Sequence, residues 1–412
     1  MNHKIHPFAA VGGALSLLLL LSSLATAAVQ GQMPRAGVTT SQGLLWSVQK
    51  MVSGGLNPSL ALDASGLPHI SYCEPSFDLS SSDLKYAYYD GSTWHITTVD
   101  SGVNTGDYYE EVGWDLSLAL DLAGHRHIAY TYERWKRSDS IATLDQAELR
   151  YAYFDGTDWI TETIVGGRFD FGDTSLALDA SDRPHIAYEG PYLAWWGEDC
   201  CALNYARFDG SSWLTETVHA GSGYIGAFNS LGLDTADLPH ISYYRMDTDD
   251  LMYASYDGSN WHLTIVDSAG VTGRATSLDL DTLDQPHISY YDWTNSLVKY
   301  AHYTGTSWSI QSVDSTSQDA TSLVLDGLNR PHIVYDYDDG TYVGPRHAYF
   351  DGSAWQFERI YRSGSVSAIS LVLESSNPLR LHVAWSDGTW IFYARGAPPT
   401  AWVYLPLVER GY

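Results

Sequence analysis

One phrase recurs seven times along this 412-residue chain. It runs Ser-Leu-Ala-Leu-Asp, a short turn, then Pro-His-Ile-Ser-Tyr. Its histidines stand at His69, His127, His185, His240, His287, His332 and His382. A period of about 50 residues with strand-like content marks a repeat architecture. What all copies share is expected to be structural. Function is expected where the copies differ.

Each copy reads as four short strands. In the first copy, Ser59-Leu60-Ala61-Leu62-Asp63 alternates large and small side chains at period two. The turn 64–67 carries Gly66, and Pro68 opens the second strand, where no ladder donor is needed. Residues 84–89 form an aromatic third strand, Asp90-Gly91 is a hairpin signal, and 94–99 form the fourth. Four antiparallel strands repeated seven times predict an all-β, seven-bladed β-propeller. No helix-length amphipathic run separates the copies, which disfavours a parallel α/β fold. The last copy stops after its third strand at residues 390–394, and 45–51 align with 93–99. An N-terminal strand is therefore expected to complete the last blade and close the ring, leaving no open edge.

Residues 1–27 carry His3 and Lys4, an apolar run to Leu24 and the small-residue site Ala25-Thr26-Ala27. This is the pattern of a secretory signal peptide, so a secreted protein is expected, with no membrane insertion after cleavage. Residues 28–43 read as a linker, 44–395 as the propeller and 396–412 as a C-terminal tail. The formal charge of −27 excludes the basic face that nucleic acid or an anionic membrane requires. Three cysteines, Cys73, Cys200 and Cys201, are too few for a disulfide framework.

Asp63 and His69 recur six residues apart through Asp326 and His332, and as Glu374 and His382 in the last copy. Seven copies of one active site in one chain are implausible. A hydrogen bond tying the two strands together is the expected role. The turn Asp-Gly-Ser-x-Trp recurs at 90–94, 209–213, 257–261 and 351–355. It resembles the Asp-box of sialidases and related BNR-type and lectin-type propellers, although Asp and Gly are adjacent here and the leading Ser is missing. In that family the box is a structural turn, so the resemblance implies the fold and not the chemistry.

Short uniform turns should share one face, and the variable connections the other. Rigid scaffolds with variable loops commonly bind on the loop side. The connections at 107–114, 133–148 and 189–201 contain the candidate ligand-binding residues Tyr108, Tyr109, Trp114, Trp135, Tyr192, Trp195 and Trp196. Flat rings beside carboxylates suit sugars, so a glycan or cell-surface ligand is the expected partner. The alternative is that these rings only cap the blades. Asp336, Asp338 and Asp339 are candidate Ca²⁺ ligands through oxygen, but their spacing does not match an EF-hand loop. The rival to a non-catalytic binding propeller is a sialidase-like glycoside hydrolase or other polysaccharide-active enzyme. The resemblance would then call for an arginine triad, with Arg134, Arg168, Arg274 and Arg346 as candidates. No hydrolase, metalloprotease or phosphate-loop motif is present.

Overall fold

The computed structural model describes residues 43–77, 80–138, 142–167, 172–191, 201–221, 223–315, 320–374 and 379–398. They form seven four-stranded antiparallel sheets in a ring, with no helix among the described residues. Blade 1 consists of Leu56–Leu62, Pro68–Pro75, Ser82–Tyr89 and Trp94–Ser101. The strand Leu45–Ser53 pairs with Trp390–Ala397, with Trp46 opposite Gly396, and so supplies the outer strand of blade 7. The residues read as signal peptide, most of the linker and most of the tail lie outside the described residues.

The cores lie between the blades. One cluster joins Leu203, Tyr205 and Val218 of blade 3 to Leu231, Ile241 and Tyr243 of blade 4. The alternation of the first strand explains this: Leu60 packs towards blade 7, and Ala61 towards blade 2. Burying each such leucine or isoleucine is worth about 1.5–3 kcal/mol.

The serine of the repeated phrase does more than occupy little space. Ser59 Oγ accepts the amide of Leu118 in the next blade at 3.0 Å. The same bond runs from Leu176 to Ser117, Leu231 to Ser175, Leu278 to Ser230, Leu323 to Ser277, Leu371 to Ser322 and Leu60 to Ser370. Seven side-chain bonds therefore run around the ring and join innermost strands that no sheet ladder connects. Farther out, a third-strand tyrosine meets edge-on the fourth-strand tryptophan of the next blade. Tyr86 with Trp159 at 5.2 Å and Tyr393 with Trp94 at 5.6 Å are examples.

Blade 2 is longer than its neighbours. Its first two strands are Tyr108–Leu120 and Arg126–Lys136. Tyr108, Tyr109, Trp114 and Trp135, expected in loops, thus stand on strands. The polar residues between them pair in a regular ladder, Glu110 opposite Arg134 and Glu111 opposite Glu133.

Candidate functional site

The recurrent acid and histidine are structural; the expected bond between them is made in the last copy, between His382 Nε2 and Glu374 Oε2 at 3.1 Å, and the other copies divide the labour differently. Asp179 Oδ1 accepts the amides of Ser181 and Arg183 at 2.8 Å, closing its own turn. Its other oxygen stands 3.5 Å from His185 Nε2. The hydrogen bond of His185 is instead made by Nδ1 with the hydroxyl of Tyr205 on the third strand. The same pairing joins His69 to Tyr86, His127 to Tyr151, His240 to Tyr253, His287 to Tyr300 and His382 to Tyr393. Burial pushes His69, His287 and His382 down to about 4, which keeps them neutral.

Among the described residues, the connections between second and third strands, and from one blade to the next, leave on the opposite, variable face. Of the aromatic residues singled out in sequence, Tyr192, Trp195 and Trp196 lie outside the described residues, as does Arg168. Trp135 is 3% exposed, and its indole N–H donates to Glu133 at 2.8 Å, so it offers no open ring face. Tyr109 stacks on Trp135 at 6.3 Å and lies 5.1 Å from the Arg137 guanidinium. Trp114 is half-buried at the inner edge of blade 2, where its carbonyl accepts Asn57 Nδ2 at 2.7 Å. The candidate arginines among the described residues stand on three different blades and do not form a triad. Arg134 is bonded to Asp145 and Arg346 to Asp314, and Arg274 lies on an innermost strand.

The face is built most distinctively where blades 4 and 5 meet, in residues that carried no sequence signal of length. The innermost strands there are Ile225–Leu233 and Thr272–Leu280, and both are bulged at the mouth. Phe228 sits at φ 53°, a left-handed conformation that costs a bulky residue on the order of 1–3 kcal/mol. It is held from both sides. Its N–H donates to Asp173 of blade 3 at 2.7 Å, and its carbonyl accepts Thr276 Oγ1 of blade 5 at 2.8 Å. Gly226 and Gly273 precede these bulges at positive φ. A Cβ there would stand 2.9 Å from Leu203 Cα and 2.6 Å from Leu251 Cα, so no side chain fits. Bulges of this kind re-aim side chains beside functional sites.

What they aim is an arginine between aromatic rings. The Arg274 guanidinium lies 4.5 Å from the centroid of Trp293 and 5.6 Å from that of Phe228. Tyr291 meets Trp293 edge-on at 6.1 Å, and Tyr244 lies 6.2 Å from Phe228. Trp293 is 53% exposed and Tyr224, on the connection into blade 4, equally so. Trp293 stands in a short connection, outside the long insertions that mark the variable face in sequence. The signal was a tryptophan at a position where no other copy has an aromatic residue.

Two acids on this half of the molecule are unusual. Removal from water holds the Asp173 carboxyl above the usual carboxylate range. Asp336 is fully buried, its oxygens make no hydrogen bond of ordinary geometry, and burial pushes it up to about 7 although the Val366 and Tyr337 amides act in the opposite direction. It does not converge with Asp338 and Asp339. Asp338 accepts the Gly340 amide at 2.7 Å, and Asp339 accepts the amides of Thr341 and Tyr342 and pairs with Arg359. Each therefore serves its own turn or ion pair. No group of three His, Cys, Asp or Glu side chains suited to a metal occurs among the described residues. Cys73 is a free, buried thiol, pushed up to about 12 by burial.

No protein-family model matches the chain, and no curated protein matches it in sequence. Among solved structures, an ulvan lyase bound to -[GlcA(1-4)Rha3S]- superposes with a TM-score of 0.57 and 13% identity, covering 83% of this chain and 94% of that one. An α-L-arabinanase of Penicillium chrysogenum has a TM-score of 0.47 and 10% identity, covering 85% of this chain and 95% of that one. The intramolecular trans-sialidase of Ruminococcus gnavus has a TM-score of 0.44 and 10% identity, covering 85% and 96%. At these identities the likeness is one of fold: the chain is a seven-bladed β-propeller with sialidase-like and arabinanase propellers among its structural neighbours.

Proposed function

We propose that this is a secreted propeller whose variable face binds a glycan without cleaving it. The observation that carries the reading is the half-exposed Trp293, with the Arg274 guanidinium 4.5 Å from its centroid at the mouth between blades 4 and 5. A flat ring packs against the C–H face of a sugar, and a guanidinium beside it donates to hydroxyls. Phe228 is held there at a conformational cost, as expected of a positioned site. A chain of formal charge −27 favours neutral over polyanionic glycans. The -[GlcA(1-4)Rha3S]- ligand of the ulvan lyase, an acidic and sulfated sugar, is thus less suited to this chain.

A glycan-array screen of the chain tests this directly. Trp293→Ala should weaken binding to the best glycan about tenfold or more, with the melting temperature unchanged. Equal affinity in the variant would remove the site from this surface.

One observation favours a second reading, a polysaccharide-active enzyme. The Asp173 carboxyl, which accepts the Phe228 amide beside this mouth and is held above the usual carboxylate range by removal from water, is the candidate acid–base group. Incubation of array-positive oligosaccharides with the chain, followed by chromatography, separates the two: intact sugar supports binding alone, and shortened sugar supports catalysis.

A further inference from the structure

The seven copies provide internal comparisons on the short-turn face as well. Opposite each repeated histidine stands one third-strand residue: Tyr88, Tyr153, Arg207, Ser255, His302, Tyr349 and Arg395. Tyr88, His302 and Tyr349 stack on their histidines at 5.6–5.9 Å. Tyr153 stacks on Tyr151, and Arg395 pairs with Glu374 at 3.2 Å. Arg207 differs. The acid of its own blade, Asp179, is taken by Arg183 at 2.6 Å, and the exposed Arg207 side chain has no ion pair or hydrogen bond among the described residues.

Arg207 borders a cavity of about 510 Å³ between blades 3 and 4, within the size range of small-ligand sites. Its walls include Glu216, Asp237, Phe208, Tyr256 and Leu238. The corresponding groove between blades 1 and 2 shows what such a space accepts. There Arg126, standing where blade 4 has Pro239, places its guanidinium 5.1–5.9 Å from the rings of Tyr86, Tyr88 and Phe154. With proline in that position, the groove between blades 3 and 4 stays open, and its aromatic and polar walls are unoccupied by the chain.

We propose that this inter-blade groove binds a neutral sugar unit, as a second site on the face opposite the proposed glycan surface. The charges select the ligand class. Arg183 is balanced by Asp179, and the lining further holds Arg207, Glu216 and Asp237, the last accepting the Ala180 amide at 3.0 Å, so the groove carries more negative than positive charge and disfavours anions. A neutral polyol uses all of these groups. Vicinal hydroxyls accept from the Arg207 fork and donate to Glu216, and the apolar face of the sugar ring lies on Tyr256. This inference rests on the groove alone and stands or falls apart from the variable face.

Saturation-transfer NMR of the full chain tests it, with the methyl glycosides of glucose, galactose, mannose and rhamnose and of glucuronic acid as probes. At least one neutral glycoside should bind, and Arg207→Ala should raise its Kd about tenfold while the melting temperature holds. Trp293→Ala should leave that Kd unchanged. Tyr256→Ala, on the other wall, provides a second variant if Arg207→Ala destabilises the fold. The proposal is overturned if no neutral glycoside binds at about 10 mM, a concentration that detects even affinities weaker than millimolar. It is also overturned if only the glucuronide binds, if neither groove variant changes affinity, or if Trp293→Ala abolishes binding.

Discussion

Identical residues in the repeat do not carry identical energies, because their partners vary from blade to blade. The tyrosine that ends the phrase is fully buried at Tyr72, Tyr130, Tyr290 and Tyr335. Tyr130, Tyr290 and Tyr335 donate to Asp100, Asp267 and Asp314 of the preceding blade. The Tyr72 hydroxyl has no partner. Tyr72→Phe should therefore be neutral or stabilising. Tyr290→Phe should cost about 1–3 kcal/mol by removing a donor from buried Asp267. Urea unfolding of the two variants measures the difference, and equal losses would show that the hydroxyls are not decisive. The same burial sets the pH dependence. His69, His287 and His382, held near 4 when folded, take up protons first in the unfolded chain, whose histidines titrate near 6.5. Their stabilising contribution is complete above pH 6.5 and is lost as pH falls towards 4. Asp336 has the opposite sign. Its folded value of about 7 exceeds the unfolded 3.8, so its contribution is complete below 3.8 and lost as pH rises through 7. Melting curves should fall steeply from pH 6.5 to 4. Asp336→Asn should raise stability at pH 8 by on the order of 3 kcal/mol and leave pH 4 unchanged. A variant that gains equally at both pH values would contradict the buried, titrating carboxyl.

At the level of the strand, closure is reinforced where the repeat changes. Blade 6 carries His347 in place of the recurrent tyrosine. It stacks on His332 with ring centroids 5.2 Å apart, and its Nδ1 lies 3.2 Å from Glu358 Oε2. Glu358 also accepts the Leu44 amide at 2.8 Å and the Trp46 indole N–H at 3.3 Å. The outer strand of blade 7 is thus clamped by blade 6 as well as laddered to its own sheet. Glu358→Ala should cost about 1–3 kcal/mol and increase protease sensitivity around residues 43–46, although the residue belongs to another blade. Limited proteolysis with mass spectrometry reads this out, and an unchanged cleavage pattern would deny the clamp. The closing strand itself was legible in the alignment of Trp46 with Trp94. The clamp was not, because it depends on which carboxylate lies beside the strand in space. Blade 2 shows a similar limit. Its insertions contain charged and aromatic residues without clean alternation, so they read as loops. Cross-strand pairs such as Glu110 with Arg134 nonetheless satisfy the extended hairpin.

For the whole molecule, periodicity made the architecture readable, and it also hid the site. Seven near-identical phrases specify seven blades, seven inter-blade cores and a ring of serine bonds. Of the aromatic candidates in the long insertions, Tyr192, Trp195 and Trp196 lie outside the described residues, and Tyr108, Tyr109, Trp114 and Trp135 stand on the strands of blade 2. The residues built into a strained and exposed arrangement are Phe228, Arg274 and Trp293, in short connections and strand starts. Their association depends on bulges that bring two blades together, which spacing along the chain does not reveal. The central claim is that binding resides where the copies differ. Backbone hydrogen exchange, measured with and without the glycan that ranks first on the array, tests it most directly. Slowed exchange is expected at 224–229, 271–276 and 292–297. Protection spread equally over all seven repeats, or absent from these segments, would contradict the account.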